Sequence, residues 1–149
     1  MSVDIRKMTV EDIPTVVALD QISFSMPWPE RSFRFEVTAN PASRCWVAEV
    51  DERIAGMIVA WLFVDEVHIA TLATHPDFRR QGIARQLLLH VLNLAVQEGA
   101  VSSFLEVRAG NVAAQDMYHK FGYRESGRRP RYYKDNNEDA ILMTLESLR

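Results

Sequence analysis

The longest helix of the chain is predicted by apolar residues that recur at helical spacing over residues 82–98. Gly99 follows directly and is a natural C-terminal cap, because glycine adopts the left-handed backbone that ends a helix. A second helix is predicted over residues 112–121, where Asn111 is placed to cap the start and Gly122 to close the end. Two shorter helices are predicted earlier, one capped by Thr9 and one with Pro29 in its first turn.

Seven further segments have the short, apolar or alternating pattern of β-strands. In one of them, every second residue from Val67 to Ala73 shares a face. The predicted strands cover residues 4–8, 45–50, 54–64, 66–74, 104–108, 123–129 and 139–145. Three strands in a row, followed by alternating strands and helices, predict an α/β fold in which a mixed sheet has helices on both faces.

Size and composition narrow the class of protein. The 149 residues fit one domain, so we expect a single domain over residues 1–149. The net charge of −3 makes nucleic acid an unlikely main ligand, because nucleic-acid-binding proteins usually carry a basic excess. An intrachain disulfide is excluded, because Cys45 is the only cysteine in the sequence. The longest apolar run, residues 54–64, is too short to cross a membrane, and a cytoplasmic protein is expected.

The loop between the strand ending at Thr74 and the long helix has the most informative chemistry. A helix start exposes backbone N–H groups that have no intrahelical acceptor, and the helix dipole adds positive charge there. Backbone N–H groups from Arg80 to Arg85, with the small residue Gly82 among them, are therefore suited to binding a diphosphate. The alternative interpretation is a basic loop that only caps the helix.

This loop resembles the acetyl-CoA signature of the GNAT-type N-acetyltransferases, whose pattern is Arg/Gln-x-x-Gly-x-Gly/Ala. Arg79, Gly82 and Ala84 fill its fixed positions. The rest of the chain is similar to the RimI branch of that family. The resemblance lies in residues 27–33, 105–111, 113–114, 118, 121–123, 128–133 and 137–143.

The resemblance implies a single GNAT domain with a mixed, mostly antiparallel sheet of about six to seven strands and about four flanking helices. It implies acetyl transfer from acetyl-CoA to the N-terminal α-amine of a protein, and for the RimI branch to the N-terminal alanine of a small-subunit ribosomal protein. No metal, membrane or direct nucleic-acid contact is required. Two alternatives stay open. One is a broader N-terminal or lysine acetyltransferase, since archaeal N-terminal acetyltransferases share some of these motifs, and the other is a non-catalytic CoA-binding, ribosome-associated module.

The resemblance also assigns residues to acetyl-CoA. The strand edge at 72–74 would bind the pantetheine, with the Thr74 N–H directed at the thioester oxygen. The start of the long helix would bind the diphosphate, and Asn111 would add a contact besides its cap. The residues expected to bind acetyl-CoA are Leu72, Ala73, Thr74, Arg80, Gln81, Gly82, Ile83, Ala84, Arg85, Asn111 and Tyr118.

Two residues are expected to be catalytic. Glu106 shares a strand face with Phe104 and Arg108, so a salt bridge to Arg108 is one interpretation; in RimI-like enzymes the matching glutamate is the general base. Tyr118 lies at helical spacing from Phe121, which also suits core packing; the family uses the matching tyrosine to protonate the departing thiolate. A ring can pack while its hydroxyl stays available.

His68 is a rival base, since its usual pKa suits proton transfer and it lies near the presumed catalytic strand end. The other histidines and Cys45 form no grouping with metal-ligand spacing, so no metal site is expected. Residues 128–134 form a local basic cluster, which is either a phosphate or RNA contact or a solvated hairpin. Trp28 and Tyr133 are candidate walls for the acceptor's N-terminus.

Overall fold

The computed structural model describes residues 2–148, which form seven strands and four α-helices. Short 3₁₀ turns at Val10–Asp12 and Pro76–Phe78 precede α1 and α3. The elements, in chain order, are β1 (Asp4–Lys7), α1 (Ile13–Ser23), α2 (Glu30–Thr38), β2 (Ser43–Val50), β3 (Arg53–Phe63), β4 (Glu66–Thr74), α3 (Ile83–Gln97), β5 (Ser102–Arg108), α4 (Val112–Phe121), β6 (Arg124–Tyr133) and β7 (Glu138–Leu145).

The strands form one mixed sheet in the order β1-β2-β3-β4-β5-β7-β6. Antiparallel pairing joins β1 to β2, β2 to β3, β5 to β7 and β6 to β7. The β4–β5 pair is parallel, and it matches Glu66–Ile69 with Ser102–Leu105. Such a pair needs a long crossover, which α3 provides in the chain between the two strands. The predicted mixed, mostly antiparallel sheet with four helices is confirmed.

The chain divides into two compact units. The first unit runs to Trp61 and resumes over Thr71–Val91, and the second comprises Leu62–Ala70 and the chain from Leu92 onward. Within the first unit, α3 begins very close to β3. A Cβ added at Gly56 would lie 2.8 Å from Ile83 Cγ2 and 2.9 Å from the Ala73 carbonyl oxygen, so only glycine lets the start of α3 pack this closely.

The core of the second unit lies under one face of β5. Ser103, Leu105 and Val107 are buried, whereas the alternate residues of the strand are half-exposed. The buried Ser103 hydroxyl is 2.7 Å from the Tyr123 hydroxyl, which satisfies both polar groups inside the core. The alternation predicted for this strand is therefore present, and it leaves the side chain of Glu106 on the accessible face.

Several predicted boundaries need correction. Thr9 begins a 3₁₀ turn rather than the α-helix, and α1 starts at Ile13. Pro29 is the cap before α2 and not part of its first turn. β6 continues four residues beyond the predicted end at 129, through Pro130 to Tyr133. Proline is tolerated because β6 is the edge strand, where one side of the backbone needs no partner.

Candidate active site

The start of α3, in the first unit, has a backbone geometry suited to binding an anion. α3 begins at Ile83, and the preceding Arg80 and Gly82 both have left-handed backbones, with φ of 64° and 78°. Alternating left- and right-handed residues turn successive N–H groups toward one point, where an anion binds. A Cβ at Gly82 would meet nothing nearer than Gln86 Nε2 at 3.9 Å, so the approach to the backbone is open.

The remaining predicted acetyl-CoA residues of this unit lie on either side of that loop. Leu72 and Thr74 are half-buried at the end of β4, and Ala73 between them is buried. Of the predicted residues at the start of α3, Arg80, Gln81, Gly82 and Arg85 are exposed, Ala84 is half-buried and Ile83 is buried. Ile83 therefore anchors the helix, while its neighbours remain accessible.

Trp28, the candidate acceptor wall of the first unit, is firmly held. Its ring stacks on Trp61 with centroids 6.3 Å apart and planes 10° apart, and it also contacts Phe33 at 5.2 Å. Its backbone N–H donates to the buried Asp20 carboxylate at 2.7 Å. The Trp61 indole N–H in turn donates to the buried Glu36 carboxylate. Sequence reasoning did not find this support, because its members come from α1, α2 and β3.

Glu106 is the central polar residue of the second unit. Its side chain is 24% exposed, and its Oε2 atom is buried without a hydrogen-bond partner among residues 2–148. The Arg129 Nε atom lies 3.6 Å from that oxygen, too far for a good hydrogen bond but close enough for an ion pair. Sequence reasoning considered Arg108 as the partner and missed Arg129, because the sequence does not show which residues of separate strands lie side by side.

Two neighbours set the environment of Glu106. His68 stacks on Phe104 with ring centroids 4.4 Å apart. Burial lowers the pKa of His68, while the charge of Glu106 raises it, and the net shift is downward. His68 is therefore neutral at physiological pH. Arg108 lies over the Tyr133 ring at 3.9 Å and pairs with Asp135 at 3.0 Å and Glu138 at 3.4 Å, so its charge is already opposed by carboxylates.

Tyr118 packs in the core of the second unit. Its side chain is buried, and its ring meets Tyr123 edge to face at 5.6 Å, which confirms core packing. Burial raises the pKa of Tyr118 to about 12, so the hydroxyl stays protonated across the physiological range. Asn111, at the start of the same helix, accepts a hydrogen bond from the Ala114 N–H at 3.3 Å, as predicted for a cap.

Two arginines of the basic cluster at residues 128–134 lie beside carboxylates. Arg128 lies 3.5 Å from Glu125 and 3.4 Å from Asp139, and Arg129 lies near Glu106. Tyr133 is half-buried, and burial is the main cause of its raised pKa. Within residues 2–148, no group of three or more His, Cys, Asp or Glu side chains could hold a metal ion, and no helix is long and apolar enough to span a membrane.

Comparison with known proteins identifies the class. Residues 13–123 match the sequence profile of the acetyltransferase (GNAT) family. This match covers most of the chain and includes segments of both units. The chain therefore belongs to the GNAT acetyltransferase family.

Three individual proteins are similar to this chain, one in sequence and two in structure. The chain is 37% identical over 139 residues to a Bacillus subtilis (strain 168) protein provisionally named [ribosomal protein bS18]-alanine N-acetyltransferase, covering 93% of this chain and 92% of that protein. It is similar to the crystal structure of the ribosomal-protein-S18-alanine N-acetyltransferase from Escherichia coli, with a TM-score of 0.89, 29% identity and coverage of 97% and 93%. It is also similar to Ard1 from Thermoplasma volcanium, with a TM-score of 0.91, 26% identity and full coverage of both chains.

Proposed function

We propose that this protein transfers the acetyl group of acetyl-CoA to the N-terminal α-amine of a protein, with the N-terminal alanine of ribosomal protein bS18 as acceptor. The acceptor is suggested by the names of the B. subtilis and E. coli relatives. The whole chain acts as one GNAT domain, and the reaction takes place in the cytoplasm, where ribosomal proteins are made. The observation that carries the proposal is Glu106, a carboxylate with a buried oxygen that has no hydrogen-bond partner among residues 2–148.

Glu106 is the general base in this proposal. An N-terminal amine has a pKa of about 8, so roughly a tenth of it is already neutral at pH 7. A carboxylate oxygen without a competing hydrogen bond is free to accept a proton from the remaining ammonium, directly or through a water. A lysine amine, with a pKa of about 10.4, presents a much harder proton to remove, which favours an α-amine as the acceptor.

The start of α3 holds the donor. Backbone N–H groups of residues 80–85 bind the diphosphate of CoA, and the left-handed backbones of Arg80 and Gly82 support that geometry. Leu72, Ala73 and Thr74 offer a strand edge to the pantetheine, as an added strand would use it. The Thr74 N–H stabilises the negative charge that develops on the thioester oxygen. Asn111 adds a contact through the amide N–H₂ group that its cap leaves unused.

The reaction needs no acyl-enzyme. The neutral amine attacks the thioester carbon, a C–N bond forms, and the C–S bond breaks as the electron pair leaves on sulphur. One proton of the starting ammonium reaches solvent through Glu106, and a second ends on the sulphur. The products are the acetylated N-terminus and CoA thiol.

Tyr118 assists the departure of sulphur. With its pKa raised to about 12, the phenol is a hydrogen-bond donor at neutral pH. A thiol has a pKa near 8.5, so full transfer of the phenol proton to the thiolate is uphill by several units. The hydroxyl therefore stabilises the leaving sulphur through a charge-assisted hydrogen bond, and the second proton of the ammonium reaches the sulphur by way of water. Trp28 and Tyr133 are each a candidate contact for the first residue of the acceptor.

A second candidate is the same chemistry with a broader acceptor range. It is favoured by the likeness to the archaeal Ard1, whose chain is covered completely. The difference between the two candidates lies in which first residues are accepted and not in the reacting groups.

A peptide panel tests the proposal. Thiol release from acetyl-CoA is measured with three peptide sets: a bS18 N-terminal peptide with a free α-amine, the same peptide with its α-amine blocked and a lysine present, and free-amine peptides with varied first residues. We expect turnover with free-amine alanine peptides and none with the blocked peptide. Equal turnover across first residues would favour the broad candidate. If the protein bound acetyl-CoA but released no CoA thiol with any of the peptides, the proposed enzymatic activity would be refuted.

A further inference from the structure

We infer that Arg129 is the resident counter-ion of Glu106 and that the acceptor's α-ammonium displaces it, so that the ammonium competes with Arg129 for the Glu106 carboxylate. This inference rests on the proposed function, because it concerns how the acceptor reaches the proposed base. Arg129 does not touch the reacting bonds and is a positioning residue.

The geometry of the Arg129–Glu106 pair would allow the acceptor's ammonium to replace the guanidinium. Arg129 Nε lies 3.6 Å from Glu106 Oε2, and that oxygen is buried without a hydrogen bond among the described residues. The Arg129 side chain is 55% exposed, so it can move into solvent with little loss of packing. An ion pair at this distance with an exposed arginine is weak enough for a cation delivered by a bound peptide to displace.

Other groups around Glu106 do not take over this role. His68 on β4 is kept neutral by burial, and Tyr133 at the end of β6 keeps its proton because its pKa is raised. Arg108 on the same strand is cationic, but it lies against the carboxylates of Asp135 and Glu138. The Arg129 guanidinium is the cation placed directly at the buried oxygen.

The structure also provides a position for the displaced side chain. The Arg129 guanidinium carbon lies 5.5 Å from the centre of the Tyr132 ring, within the range of a cation–π contact. When an ammonium arrives at Glu106, the guanidinium can keep this contact while giving up the carboxylate.

Arg128 is a matched control on the same strand. It carries the same charge and similar exposure, 47% of its side chain, but its carboxylate partners are Glu125 and Asp139. Replacing Arg128 by glutamine therefore makes the same change in net charge without removing the partner of Glu106.

Binding is measured by calorimetry in the presence of CoA, which has no acetyl group to transfer. The titrants are a free-amine alanine peptide and its N-α-acetylated form, and the proteins are wild type, Arg129→Gln, Arg129→Lys and Arg128→Gln. We expect Arg129→Gln to tighten binding of the free-amine peptide about two- to fivefold, the range that the weak pair allows, and to leave the acetylated peptide unchanged. Arg129→Lys should retain most of the wild-type behaviour, and Arg128→Gln should not discriminate between the peptides.

The outcomes are separable from those of the proposed function. Weaker binding of both peptides to Arg129→Gln would mean that Arg129 holds the peptide itself, and it would overturn the inference. Equal affinities for the Arg129→Gln and Arg128→Gln proteins would overturn it as well. Thiol release by the wild-type protein with acetyl-CoA is measured in parallel: if it occurs, either result counts against Arg129 alone, and if it does not, the proposed function and the inference that rests on it both fail.

Discussion

The start of α3 and the accessible face of β5 present their polar groups in different ways. At the start of α3 the groups are backbone amides of one short segment, shaped by the left-handed Arg80 and Gly82. On β5 the group is a single side chain, Glu106, whose surroundings come from β4 and β6. The first arrangement suits binding, because many weak donors share one anion. The second suits proton transfer, because one carboxylate oxygen lies close to where a single proton would be exchanged. Substitutions in the two regions should therefore separate affinity from turnover.

The largest expected effect is the loss of turnover when Glu106 on β5 is replaced. Glu106→Gln keeps the shape of the side chain but removes the base, so kcat should fall about 10²- to 10⁴-fold while the affinity for CoA stays unchanged. Steady-state kinetics with a free-amine peptide and calorimetry with CoA measure the two quantities. Near-normal turnover would eliminate Glu106 as the base and favour His68, whose neutral ring can accept a proton.

Tyr118→Phe should have the next largest effect. It removes a hydrogen bond to a departing thiolate, and a bond to a charged group is worth about 1.5–3 kcal/mol, so kcat should fall at least tenfold. The ring packing against Tyr123 remains, so the melting temperature should change little.

Tyr123→Phe is the control for Tyr118→Phe. It breaks the buried hydrogen bond to Ser103 and leaves that serine unsatisfied, which should cost about 1–3 kcal/mol of stability without lowering kcat specifically. If Tyr118→Phe left kcat unchanged, Tyr118 would have only a packing role.

A substitution at the start of α3 should affect binding and not chemistry. Gly82→Val forces a β-branched residue into a backbone with φ of 78°, which costs about 1–3 kcal/mol and disturbs the amides, so CoA affinity should fall about tenfold. Gly99→Val is the control, because Gly99 has φ of 98° and open space around it at the far end of α3. Equal CoA affinities in the two variants would argue against a diphosphate site at Gly82.

The contrast between the regions also explains what the sequence could predict. β4 and α4 were predicted to the residue, because alternation and the caps at Asn111 and Gly122 are local signals. The helix-start loop was recognisable for the same reason. The pairing of Glu106 with Arg129 was not, because it depends on the strand order and on the register of β6 beside β7. Residue types on separate strands give no local signal of such a contact, and only the family resemblance pointed to Glu106.

The smallest expected effect concerns stability at mildly acidic pH and separates His68 from His90. Burial lowers the pKa of both histidines, but only His68 also feels the opposing charge of Glu106. Above about pH 6.5 both rings are neutral in the folded and unfolded states, and they add no pH dependence. As the pH falls below that value, the unfolded chain takes up protons that the folded chain resists, so the free energy of unfolding decreases.

Urea denaturation at about pH 7 and about pH 5.5 measures this loss. Because Glu106 partly offsets the burial of His68, Glu106→Gln should lower the pKa of His68 further and make the acid-induced loss of stability larger. In His68→Gln the added effect of Glu106→Gln should disappear, whereas in His90→Gln it should persist. An identical loss in the wild type and Glu106→Gln would show that the carboxylate does not act on His68, and it would leave the stacking on Phe104 as the main determinant of that ring's environment.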